Sequence, residues 1–90
     1  MSEITEFFLK DLENYWHCEV REASSGVDLL RVLNHSNHNI NMQNFKGILE
    51  SAIAKRSIGV DEYKKITGLD FNTSEEVADD LQNLWNMMFK

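Results

Sequence analysis

"VDEYKKITGLDFNTSEEVADDLQNLW" runs from Val60 to Trp85, and its reading decides the fold. Tyr63 and Ile66 stand three apart, the spacing of one helix face, so a short helix is predicted from Val60 to Thr67. Gly68 then occupies the place where a helix closes on a left-handed residue. Leu69 can pack back on that end, and "LDFN" (69–72) makes a turn with Phe71 inward. "TSEE" (73–76) matches a capping box, with Thr73 as N-cap and Glu76 three residues on. After it, Val77, Leu81, Leu84, Trp85, Met88 and Phe89 share one face of a last helix, while Asp79, Asn83 and Asn86 face outward.

Working back from Val60, the same period recurs. Phe45, Ile48, Leu49, Ala52 and Ile53 predict a helix from about Asn41 to Arg56, with Lys55 and Arg56 at its negative end. Gly47 and Ala52 are small enough to admit a neighbouring helix. "HSNHNINMQN" (35–44) has no period, and its side chains favour turns over ladders, so it is a loop. "ASSGVDLLRVLNHSN" (23–37) predicts a short helix capped by Ser24 or Ser25, with Val27, Leu30 and Leu33 inward. A first helix is expected after Ser2 as N-cap, with Ile4, Phe7, Phe8, Leu12, Tyr15 and Trp16 on one face. "YWHCEV" (15–20) alternates like a strand and also fits a continuation of that helix to about Glu22. The lack of a second strand to pair with it favours helix. The expected fold is all-α: a compact bundle of four to five helices joined by short loops, one helical domain over 1–90.

Composition narrows the function classes. Ninety residues suit one domain, and 42% hydrophobic residues argue against disorder. There is no proline, which fits a mostly helical chain. The acidic N-terminus is unlike a signal peptide, and no apolar run is long enough to span a bilayer. One cysteine allows no internal disulfide and fits a reducing, cytoplasmic home. The net charge of -6 disfavours nucleic acid and anionic membranes and suits a basic protein partner. Charge is also unevenly placed. Seven acids face two bases in 1–30, one acid faces four bases in 31–56, and seven acids face three bases in 57–90.

Catalytic patterns are weak. His35 and His38 form H-x-x-H, but a metal site needs further ligands, and His17 and Cys18 lie on another element. Adjacent His17 and Cys18 make a poor nucleophile pair, and Cys18 reads as a small, partly buried apolar group. Glu75 and Glu76 are explained by the helix N-terminus, and the four glycines are too scattered for a phosphate loop. The expectation is therefore no enzyme, no cofactor and no metal.

"SIGVDEYKKITGLDFNTSEEVADDLQNLW" (57–85), with the small size and acidity, resembles the acidic immunity proteins that bacteria make beside polymorphic toxins, including those of contact-dependent growth inhibition. The resemblance implies a protein that binds and neutralises a cognate toxin domain, often a basic nuclease, through electrostatically steered association. On that reading the candidate interface is Asp61, Glu62, Asp70, Glu75, Asp79 and Asp80, with Glu13, Glu19 and Glu22 as a second patch. "EYKKITG" (62–68) also resembles wording in small phage tail-associated proteins. The alternative is thus a small helical adaptor or phage-encoded structural or regulatory protein.

Overall fold

The computed structural model describes residues 3–89. They form α1 (Glu3–Tyr15), α2 (Ser25–Leu33), α3 (Met42–Lys55), α4 (Val60–Thr67) and α5 (Ser74–Phe89), with no strand among the described residues. Ser2, the expected first N-cap, lies outside them. One hydrophobic cluster draws on all five helices, from Phe8 in α1 and Leu29 in α2 to Phe45, Tyr63 and Val77 in the other three. The longest helix, α5, packs on α2 and α3, and α1 packs on α4.

The Val60–Trp85 stretch folds as its pattern requires. Tyr63 and Ile66 are buried, and Gly68 adopts φ 73°, its N–H donating to the Lys64 carbonyl at 2.8 Å. That left-handed turn suits glycine for a second reason. A Cβ there would lie 2.8 Å from His17 Nε2. Thr73 Oγ1 accepts from the Glu76 N–H at 3.2 Å, and Glu76 reaches back to the Asn72 N–H at 3.0 Å. The cap therefore satisfies two donors, one of them a residue earlier than the usual box. Val77, Leu81, Leu84 and Met88 then line the buried face of α5.

Three expectations are corrected. The first helix stops at Tyr15, and 16–20 is neither more helix nor strand but a run of bends and turns. Beside a few local turn bonds, the Cys18 N–H donates to the distant Thr67 carbonyl at 2.6 Å, and the Trp16 carbonyl accepts from the Arg21 side chain. Secondly, Val27 is 50% exposed; Leu33 is buried as expected and Leu30 packs on the core, but Leu29, with Ser25 and Gly26 one turn earlier, faces it in place of Val27. Thirdly, Gly47 meets open space, and the glycine of close approach is Gly26. A Cβ on Gly26 would come within 2.8 Å of Met87 Cβ and 2.9 Å of its backbone.

The N-terminal stripe is uneven. Phe8, Leu12 and Trp16 are buried at four-residue steps, and Phe8 packs on Phe45 with ring centroids 4.8 Å apart. Ile4 is 42% exposed. Asn41 caps α3, accepting from the Asn44 N–H at 2.8 Å, and Arg56 closes it in the left-handed region at φ 51°. None of the helices formed by the described residues is long and apolar enough to cross a membrane.

Candidate functional site

Two polar clusters and a set of free carboxylates stand out among the described residues. The larger cluster joins the linker after α1 to α4 and α5. Asp80 sits on α5 one position before buried Leu81, so its carboxylate turns partly inward. Arg21 grips it with two bonds, Nη1 to Oδ1 at 2.9 Å and Nη2 to Oδ2 at 3.0 Å. The Tyr63 hydroxyl donates to Oδ2 at 2.7 Å, and Trp16 Nε1 donates to the Tyr63 oxygen at 3.0 Å and to Oδ2 at 3.2 Å. The Arg21 guanidinium lies 3.7 Å from the Trp16 ring centroid, which adds a cation–π contact.

Each group in this knot has a hydrogen-bond partner within it. Burial first, and then the Asp80 charge, push the Tyr63 phenol far above its ordinary value. A phenol held so firmly protonated serves as a donor and not as a base or nucleophile. Among the described residues no buried side-chain nitrogen or oxygen lacks a hydrogen bond.

The smaller cluster is one pair. Asp11 is 4% exposed on α1, and His38 Nε2 lies 3.1 Å and 2.9 Å from its two oxygens. Burial raises the Asp11 carboxyl above its ordinary 3.8, and His38 offsets only part of that rise. His35 points elsewhere, its Nδ1 accepting from the Asn37 N–H at 3.4 Å. The two H-x-x-H imidazoles therefore have different hydrogen-bond partners, although both line one cleft at the end of α2. No group of three or more metal-ligating side chains exists among the described residues.

Cys18 is exposed, against expectation, because the linker turns its side chain outward beside Gly68. Its sulfur does approach its neighbour, 3.9 Å from His17 Nδ1, since the turn geometry lets adjacent side chains meet. His17 Nδ1 also accepts from the Glu19 N–H at 3.1 Å.

The nine candidate interface residues separate by position. Asp61, Asp70, Glu75, Asp79, Glu13, Glu19 and Glu22 are exposed, and Glu62 is half-buried. Asp80 is corrected: its carboxylate is spent on the knot and is not a free surface charge. Glu13 and Glu62, expected in separate patches, line one shallow groove between α1 and α4 with Glu6, Lys10 and Lys65. Leu9 and Ile66 form its floor. At the other end, Glu19 and Glu22 flank Arg21 in the linker and Asp79 precedes Asp80 on α5, so the Arg21–Asp80 pair ties together the two segments that carry them. The Cys18–Thr67 bond draws the same linker toward the turn that holds Asp70.

The knot and the Asp11–His38 pair were not anticipated. Knot partners lie up to 64 residues apart, and no local pattern reports such a contact. Asp11 did leave a signal: it stands three residues after Phe8 and four before Tyr15, a charged group in core register. Compared with known proteins, the chain matches no family model, no curated protein and no solved structure.

Proposed function

We propose that this chain is a non-catalytic binding module for a basic protein domain, in its most specific form an immunity protein that neutralises a cognate bacterial toxin. Unpaired charge is the observation that carries this reading. Seven of the nine candidate carboxylates (Asp61, Glu62, Asp70, Glu75, Asp79, Glu19 and Glu22) have no ion-pair partner among the described residues. Solvated acids at a net charge of -6 create a field that accelerates encounter with a basic partner. The Arg21–Asp80 pair supports it further, since it ties the linker that carries Glu19 and Glu22 to the helix that carries Asp79, and a tied frame loses less freedom on binding.

The toxin assignment rests on the resemblance of residues 57–85, and the test is genetic. Expression of the neighbouring reading frame alone should arrest growth, and co-expression of this chain should restore it. Failure to restore growth would sink the immunity assignment. The alternative, a helical adaptor, draws support from the half-exposed Val20 and Val27 and from the Trp85–Phe89 pair. An adaptor docking through these apolar groups would associate at a rate indifferent to salt, whereas the acidic module would slow as salt rises.

A further inference from the structure

We propose that residues 34–39 form a strap that docks and releases as a unit, with the His38–Asp11 contact as its latch. The strap hangs between two buried anchors, Leu33 at 3% and Ile40 at 2% exposure. Between them every residue except His38 is exposed. Its other hydrogen bonds are local: the Asn34 N–H to the Leu30 carbonyl, His35 to Val32, His38 to His35, and Asn37 to the His35 ring. Among the described residues only His38 bonds this segment to a distant element, through the two Asp11 oxygens.

Such a latch is weak by construction. Docking strips water from the Asp11 carboxylate, and one imidazole returns only part of that loss. Within the strap, release uncovers only His38, since the Asn, Ser and His35 side chains are already exposed, so it sacrifices almost no apolar burial. Leu33 and Ile40 stay in the core as hinges. The motion opens the cleft of about 410 Å³ that the strap forms with the end of α2, lined by Arg31, Val32, His35, Asn37 and His38. It also exposes Asp11.

Native-state hydrogen exchange on the full chain tests the latch. In His38→Ala the amide of His35, whose acceptor Val32 lies on α2, should exchange at least tenfold faster, while those of α3 and α5 stay within twofold of the parent. Asp11→Ala should give the same pattern, and the double variant should be no faster than either single one. Equal acceleration in all helices, no acceleration in the strap, or a His38→Ala chain that fails to fold would each overturn the proposal. Additive effects in the double variant would overturn the assignment of Asp11 as the other half of the latch.

Discussion

The linker after α1 (16–24) and the linker after α2 (34–41) are of similar length and neither contains regular structure, yet they are held in opposite ways. The first buries Trp16, wraps Arg21 round the Trp16 carbonyl and closes on Tyr63 and Asp80. The second reaches the rest of the molecule through one buried isoleucine and one imidazole. An irregular segment is as rigid as its long-range bonds make it. Lack of helix or strand does not by itself make a segment mobile. Here the fastened linker carries free acids, and the loose one follows a helix whose last turn holds one basic residue, Arg31.

Breaking the knot should have the largest effect. Asp80→Ala leaves Arg21 and the Tyr63 hydroxyl without their acceptor, a loss of about 3–5 kcal/mol. Asp80→Asn retains the shape and one acceptor and should cost roughly 1–3 kcal/mol. Urea unfolding measures both, and a cost for Asp80→Ala under about 1 kcal/mol would mean that the knot adds little to the fold.

Gly68→Ala is next. It forces a left-handed backbone on alanine and drives a methyl into His17, so roughly 1–2 kcal/mol should be lost from the backbone alone. The damage should reach the first linker, seen as shifted Cys18 and His17 resonances, and leave 34–39 unmoved. Shifts in 34–39 would show that the two linkers are coupled.

A smaller effect is expected from Asp11, with a defined pH dependence. Its folded value lies above 3.8, so the folded chain holds this proton more tightly than the unfolded chain. Its contribution to stability is full below the unfolded value and is lost as pH rises through the raised folded one. Asp11→Asn removes that slope, so its stability relative to the parent should improve as pH rises from below 3.8 through the raised folded value. The carboxyl carbon shift of Asp11 should titrate above 3.8. A titration at or below that value would contradict burial as the dominant influence.

How far the sequence carried these results depends on the range of the interaction. The α4–α5 joint was legible because its determinants are local: Gly68 follows a helix face, and Thr73 and Glu76 lie three apart. The end of α1 was not legible. The alternation at 16–20 matched a strand, and the helix period ran through Trp16, but the outcome is set by Thr67 and Asp80, more than forty residues on. Gly47 was read as the packing position that Gly26 holds for the same reason, since what a glycine faces is decided by another helix. Of the candidate site, the sign of the charge was legible. Which acids remain free was not, and Asp80 was misplaced because its cation lies 59 residues away.

The smallest effect on stability should come from neutralising the acids at the fastened end. Glu19→Gln, Glu22→Gln, Asp70→Asn and Asp79→Asn together should change unfolding by no more than about 0.5 kcal/mol per site. Their effect should appear in binding. The decisive measurement is the association rate of the chain with the product of the neighbouring reading frame, followed as ionic strength rises. For the parent the rate should fall steeply with salt, and in the fourfold variant most of that slope should vanish. Absence of binding, a parent rate indifferent to salt, or a slope unchanged in the variant would contradict the claim that these fixed carboxylates steer a basic partner.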